Sequence, residues 1–522
     1  MRTRRELFGD VGRGMICAAV GTTLAADLGF AFSPDEPGHL TFGELEPLVA
    51  FLHETPPDKL LPMVTAKLKK GTDLKTFTAA AALANARAFG GEDYVGFHTL
   101  MALAPAYKMA KEETSPERQA LPVMKVLLRN STRLQEVGGK KAEVLKPVEP
   151  GKLAKDRPAG EQLRDISRKG DMAGAEGAFA AICKDAKPVD MLNALLVEVD
   201  DATEVHRVVL VSRAWDLLNF VGAERAHTLL RQSVHYCVKG EQNSNQAKYN
   251  AGLRALLPKL LDQHKLVGSK AGTRSADDAW VEKFANSVFA ATADDGAGLV
   301  AEALAAGMLA EDIGQALALA ANQLLLRDPG RPKEYTQPNK PVGSVHGDSI
   351  GLHCSDTIHA WQNLARSGDR RTQVTSLILA GYQVARDRSQ YRHSGGNFLK
   401  WEPYPHADAR DAVRGVPADS LMKELDAAIR AKDQPRASAI TARIGELKPE
   451  SAKEVFALLR GFAVSEDGAL HAEKYYATAS DEFAAARPAF RWRELISLAR
   501  VSASAFGYPA PQFKDACELL KS

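Results

Sequence analysis

A helical corner that recurs far along the chain constrains the fold more than any other feature. RKGDMAGAEGAFAAI, residues 168–182, and RAKDQPRASAITARI, residues 430–444, each run from a basic helix end through a polar turn into a second helix with apolar spacing. With Asp171 aligned on Asp433, Ala175 falls on Ala437, and Lys187-Pro188 falls within one residue of Lys448-Pro449. TADDGAGLVAEAL, 292–304, and TPPDKLLPMVTAKL, 55–68, are looser copies. Self-similarity of this kind marks a chain built from multi-helix units, none of which buries its apolar face alone.

The rest of the pattern is helical too. LLPMVTAKLKK, TFTAAAALANARAF, LVAEALAAGMLA and DIGQALALAANQLLL space apolar residues three and four apart, and alternating Val, Ile and Thr runs are scarce. The expected fold is therefore all-α: about four degenerate repeats of three to four helices each, closed into a toroid or bundle, with an open α-solenoid as the alternative. Closure is favoured because neither end carries an obvious polar capping repeat. The repeats fall at 40–140, 161–270, 276–390 and 417–522. A basic Pro/Gly linker covers 141–160, a proline-rich loop 327–344 lies inside the third repeat, and an irregular loop covers 391–416.

Each copy then reaches a helix that opens with histidine: DYVGFHTLMALAPAY, ATEVHRVVLVSRAW, DSIGLHCSDTIHAW and DGALHAEKYYATAS. In a closed array, quasi-equivalent positions point at a common axis, so His98, His206, His353 and His471 are the candidate metal ligands. Neutral imidazoles suit Fe, Cu, Mn or Zn. In an open array the four would be far apart and could share nothing.

VHGDSIGLHCSDTIHAW in the third copy adds His346, Asp356 and His359 as candidate acid, base or positioning groups. Asp356 stands three residues from each of His353 and His359 and so on one helix face with either. Arg392, in the aromatic and cationic loop, is a candidate partner for a substrate carboxylate. Each residue also has a bland reading, as a satisfied core histidine, a solvated carboxylate or a surface arginine.

Composition removes several classes. The 67 Lys and Arg against 65 Asp and Glu give a net charge of +2 with no basic stripe, which disfavours nucleic acid. The cysteines form no CxxCH and no CxxC, which argues against c-type haem and a Cys-rich zinc site; a disulfide cannot be assigned. No Gly-rich phosphate loop, GxSxG or GxGxxG supports nucleotide or α/β-hydrolase chemistry. HTLLRQSVH is not the HExxH of zinc hydrolases.

The first residues, MRTRRELFGDVGRGMICAAVGTTLAADLGFAFSP, carry four arginines ahead of a weak apolar stretch too short to span a bilayer. Thr3-Arg4-Arg5-Glu6-Leu7-Phe8 resembles the twin-arginine export signal, with small residues for cleavage after Ala31. That resemblance implies a signal peptide over 1–31, export of the folded chain to the periplasm or an equivalent compartment, and often prior cofactor insertion. No later stretch reaches about 18 uninterrupted apolar residues, so no integral span is expected in the mature chain.

VHGDSIGLHCSDTIHA also resembles the histidine motifs of the questin-oxidase-like proteins, of the H-G-x-x-x-x-x-H-A type, mainly over residues 340–385. The resemblance implies an all-helical fold and oxygen-inserting chemistry, and it implicates His346, His353 and His359. The export leader, the fourfold repetition and the inserted loops depart from that family.

The favoured expectation is an exported, histidine-rich, metal-dependent oxidoreductase acting on a small organic substrate. A non-catalytic helical-repeat scaffold of the cell envelope is the first alternative. The second is an α/α-toroid glycan-processing enzyme, which needs paired carboxylates such as Asp348, Asp356 and Glu402 across a cleft.

Overall fold

The computed structural model describes residues 38–389 and 398–521. The twin-arginine leader and Arg392 lie outside the described residues. Four units follow one another, each of five helices. The first holds α1 (Glu46–Glu54), α2 (Pro57–Lys69), α3 (Leu74–Phe89), α4 (Tyr94–Glu112) and α5 (Leu121–Glu136). The second holds α6 (Ala159–Ser167), α7 (Met172–Cys183), α8 (Pro188–Val199), α9 (Val205–Val221) and α10 (Ala226–Gln242), and is extended by α11 (Ser244–Tyr249) and α12 (Ala251–Gln263). The third holds α13 (Asp278–Ala290), α14 (Ala293–Ala305), α15 (Ala310–Arg327), α16 (Ile350–Ser367) and α17 (Arg370–Ser389). After the short α18 (Ala407–Val413), the fourth holds α19 (Leu421–Arg430), α20 (Gln434–Leu447), α21 (Ala452–Ser465), α22 (His471–Ala485) and α23 (Trp492–Ala505), and α24 (Phe513–Lys521) ends the chain. The described residues form isolated bridges but no strand. None of the described helices is long and apolar enough to cross a membrane.

Each unit has five helices where the sequence pattern suggested three or four. The opening helix before the corner is short, of 9 residues in α1 and α6 and 10 in α19, and ends at the corner. The corner residues explain the cut. The side chains of Asp171, Thr292 and Asp433 accept from the backbone N–H of Gly174, Asp295 and Arg436, so each starts a new helix. Such a cap is worth about 1 kcal/mol. In every unit the second helix packs on the fifth, and the fourth lies between the third and fifth. In the third unit that second-on-fifth crossing is close: a Cβ at Gly296 would stand 2.8 Å from the carbonyl oxygen of Gly381, so side chains there would hold α14 and α17 apart.

The fourth helices do something different. α4 packs along α9 and α22, and α16 packs along the same two, so the four histidine-bearing helices form a closed ring at the centre. They run in one direction. Arg213, seven residues past His206, lies 3.2 Å from Asp356, three past His353, and Thr478, seven past His471, donates to the same carboxylate at 3.0 Å. Lys108, ten past His98, meets Asp481, ten past His471, at 2.5 Å. Parallel neighbours require long return connections, and the other four helices of each unit supply them.

Polar contacts seal the ring where the chain's two ends meet. Lys125 on α5 pairs with Glu473 on α22 at 2.5 Å and donates to the carbonyls of Ala463 and Glu466 at 2.9 and 2.7 Å. Tyr476 donates to Glu112 at 2.7 Å, and α24 packs on α2 and α5. Between the first and second units, buried His235 on α10 stands 2.8 Å from Glu92 and 2.6 Å from Glu176. With an acceptor on each nitrogen this ring is an imidazolium. Burial alone would lower its pKa, but Glu176 and Glu92 outweigh burial and raise it.

A raised histidine pKa stabilises the fold fully below the unfolded value of about 6.5 and loses that contribution as pH rises through the folded value. His235→Gln is expected to destabilise the protein by about 2 kcal/mol near pH 5.5. The gap in urea midpoint between the variant and the parent is expected to narrow toward pH 9. An equal gap at both pH values would contradict the bridge.

Candidate metal centre

The closed ring brings the four helix-opening histidines together. Ring centroids are 4.8 Å apart for His98 and His206, 5.7 Å for His206 and His353, 5.1 Å for His353 and His471, and 5.1 Å for His471 and His98. Residues separated by more than a hundred positions thus form one cycle of contacts. The reason is local as well as global: each histidine sits within the first five residues of its helix, and all four helix starts are at the same end of the parallel bundle.

Three of the rings are anchored through Nδ1. His98 Nδ1 lies 2.7 Å from the Tyr94 carbonyl, His206 Nδ1 lies 2.7 Å from a Glu204 carboxylate oxygen, and His471 Nδ1 lies 3.2 Å from the Gly468 carbonyl. Each partner accepts, so Nδ1 carries a hydrogen in all three rings, and in the neutral rings of His98 and His471 Nε2 is left as the acceptor. The Nε2 atoms of His98 and His206 are buried and have no hydrogen-bond partner. His471 Nε2 instead accepts from His353 Nε2 at 3.1 Å.

The electrostatics keep His98, His353 and His471 neutral. Burial, reinforced by Lys474 and by the neighbouring imidazoles, pushes His98 and His471 far below the usual histidine range. Burial, together with His206 and Lys474, takes His353 down to about 3. Four helix N-termini, each carrying roughly half a positive charge, act in the same sense.

Glu204 is both the N-cap of α9, accepting from the Arg207 N–H, and the acceptor for His206. Its second oxygen takes the phenol hydrogen of Tyr236 at 2.8 Å. Burial raises its pKa, but His206 and Tyr236 prevail and hold the carboxylate well below its usual range. Tyr94 stacks on His98 with centroids 4.4 Å apart and is 58% exposed, so the centre lies just inside the surface at this end of the bundle. Phe97 packs 5.0 Å from both His98 and His206.

A charged layer lies one turn below. Buried Lys474, Arg213 and Asp356 interact there; burial lowers Lys474 to about 8, and Asp356 opposes the fall. Burial would raise Asp356, but Arg213 and Lys474 hold its carboxyl below the usual range. Charges this deep in a bundle are costly unless paired, and they cluster where a protein does chemistry.

The remaining candidates separate from the ring. Asp356 accepts from Arg213 and Thr478 rather than from either nearby histidine. His359, six residues past His353, pairs with Glu482 at 2.7 Å and with Asn363 at 3.0 Å. His346 has both nitrogens engaged, by Ser504 and by the Asn339 carbonyl, each at 2.8 Å. Asp348 is tied to Arg331 and Lys340 at 2.5 and 2.9 Å. The cysteines among the described residues are free thiols.

Sequence reasoning did not single out Glu204, Tyr94, Tyr236, Arg213 or Lys474. Glu204 did leave a signal, as an acidic residue two positions before the helix-opening histidine. Lys474 occupies the same offset from His471 that Asp356 does from His353. Among the described residues, no three His, Cys, Asp or Glu side chains already stand at the spacing that holds an ion. A groove of about 410 Å³ lies elsewhere, at Arg157, Gln162 and Lys169, and does not reach the imidazoles.

No protein-family model, curated protein or solved structure matches the chain.

Selective ¹⁵N-histidine labelling of chelator-treated protein tests the protonation pattern. His98, His353 and His471 are expected to remain neutral from pH 8 down to pH 5, with His98 and His471 as Nδ1–H tautomers. A titration midpoint near 6.5 for any of the three would contradict the burial argument.

Proposed function

We propose that the protein is an exported metal-dependent oxidoreductase whose ion is held by the imidazoles of His98, His206, His353 and His471. One observation carries the reading. Three rings give their Nδ1 hydrogens to fixed acceptors, and the buried Nε2 atoms of two of them, His98 and His206, have no hydrogen-bond partner within a single cycle of rings. Leaving a buried polar atom unsatisfied costs about 1–3 kcal/mol each, and one cation would satisfy both.

The separation of 3.1 Å between the Nε2 atoms of His353 and His471 suits two ligands of one ion. Bonds of about 2.0–2.1 Å place adjacent nitrogens roughly 2.8–3.4 Å apart in tetrahedral or octahedral geometry. Loading requires the other rings to turn inward. That motion is inexpensive because the χ2 torsion of histidine is broad.

The donor set supports Fe, Cu, Mn or Zn, and four imidazole nitrogens without a thiolate leave room for a redox ion with an open position. Glu204 takes the place of the carboxylate that fixes a ligating histidine and raises its basicity. Asp356, Lys474 and His359 would handle protons and charge beneath the ion. The leader fits a passenger loaded before export.

A scaffold in which the histidines only pack is the second reading, favoured by the incomplete convergence of the side chains. It leaves the Nε2 atoms of His98 and His206 unexplained. For the glycan reading, Asp348 and Asp356 would have to be available across a cleft, and both are ion-paired.

Elemental analysis and visible absorption of folded, tag-free protein are expected to show close to one equivalent of Fe, Cu, Mn or Zn. His98→Ala with His353→Ala is expected to lose it at unchanged helical content. Protein that takes up none of these metals would overturn the reading. Arg4→Lys with Arg5→Lys is expected to leave unprocessed precursor in the cytoplasmic fraction; unchanged export would remove the leader from the account.

A further inference from the structure

We propose that the groove between the 141–160 linker and α6 is a binding site for a phosphate monoester. The groove is separate from the imidazoles, and the inference does not depend on a metal.

The groove holds about 410 Å³, within the roughly 300–1,000 Å³ usual for small-molecule sites. One wall is linker, and a buried side chain fixes it there. Gln162 on α6 is 9% exposed; its amide donates to the carbonyls of Ala154 and Arg157, each at 2.9 Å, and its oxygen accepts from the Ala154 N–H at 2.8 Å. Earlier in the linker, the Gly151 N–H donates to the Gly177 carbonyl on α7 at 2.7 Å. A segment rich in Pro, Gly and Lys is thus fastened to two helices, and it brings Arg157 into the lining.

The cations around the groove have donors to spare. Arg168 gives Nε and one terminal nitrogen to Asp201, each at 2.6 Å, which leaves the hydrogens of Nη1 for a ligand. A guanidinium pinned along one edge offers the other in a fixed orientation. Lys169 lines the groove beside it and has no ion-pair partner among the described residues. Arg157 donates to Asp165 at 2.7 Å, but these side chains are 48% and 36% exposed, and so exposed a pair yields readily to a stronger acceptor. Arg164 also faces Asp165, at 3.7 Å. Three of the lining side chains are cations and one is a carboxylate. Asp156 and Glu161 act on Arg157 as well, from outside the lining.

The fourth unit shows what the same corner does without a groove. Arg430, the counterpart of Arg168, pairs with Asp426 and lies over the rings of Phe462 and Phe506, 5.2 and 5.7 Å from their centroids. Arg168 has no such ring among the described residues. A basic helix end is common to both corners, and an open cationic edge beside a fixed linker belongs to the second unit.

Three cations on separate parts of the wall suit a dianion with three terminal oxygens better than a flat carboxylate. Ile166 adds an apolar surface, and the volume leaves space beyond the phosphate for a carbon skeleton. An ester therefore fits better than free phosphate.

Calorimetric titration with phenyl phosphate at pH 8, where the ester is a dianion, tests the site. Saturable binding of one equivalent is expected. Arg157→Gln with Lys169→Gln is expected to weaken it at least ten-fold, and Asp165→Asn to tighten it several-fold, because the two changes remove charges of opposite sign. Lys155→Gln, at an exposed linker lysine outside the lining, is expected to change nothing. Flotation with vesicles of phosphatidic acid, a monoester, and of phosphatidylglycerol, a diester, identifies the source. Binding to phosphatidic acid alone, lost in the Arg157 and Lys169 variant while phenyl phosphate is inert, would place the ester on a lipid; binding of phenyl phosphate places it on a soluble molecule. Benzoate bound as tightly as phenyl phosphate, equal weakening by Lys155→Gln, or no binding that the Arg157 and Lys169 changes abolish would overturn the proposal.

Discussion

Lys125 of the first unit reaches the carboxylate of Glu473 and two carbonyls in the fourth, and with that contact the chain returns to where it began. The candidate site depends on this closure. If the fourth unit were free of the first, α22 would lose α4, and His471 would lose its place beside His98. Lys108 with Asp481, Tyr476 with Glu112 and Arg460 with Glu113 extend the seam along the helices. Buried charged contacts of this kind are weak sources of stability and strong sources of register, since an offset of one turn would strand each of them.

Closure in this manner also fixes polarity. Four equivalent helices related by a cyclic repeat must run parallel, so their positive ends meet. That arrangement is electrostatically unfavourable by itself, and the sequence compensates with neutral imidazoles at the meeting point and mixed charges one turn below. The depressed protonation of His98, His353 and His471 follows from the same geometry as the convergence itself. A site that holds a cation among helix N-termini needs lone pairs there, and rings anchored through Nδ1 provide them.

Much of the architecture was legible in the chain. The corners at Asp171, Thr292 and Asp433 were readable because a capping side chain and the return of helical spacing are local events. The four helix-opening histidines were readable for the same reason, and symmetry then placed them on one axis. The partners of the side chains were not legible. His346 and His353 look alike in VHGDSIGLHC, yet Ser504, far away in sequence, engages one while His471 faces the other. Asp356 has the spacing to hold a histidine, but Arg213 on another unit takes it. The bond from Tyr236 to Glu204 was not legible, because it depends on how α9 and α10 pack.

X-ray absorption at the edge of the bound metal tests the central claim most directly. The account predicts a first shell of nitrogen at roughly 2.0–2.1 Å with the outer-shell scattering of three or four imidazoles. A shell dominated by oxygen or sulfur, or one with a single imidazole, would show that the histidines of the four units do not share an ion.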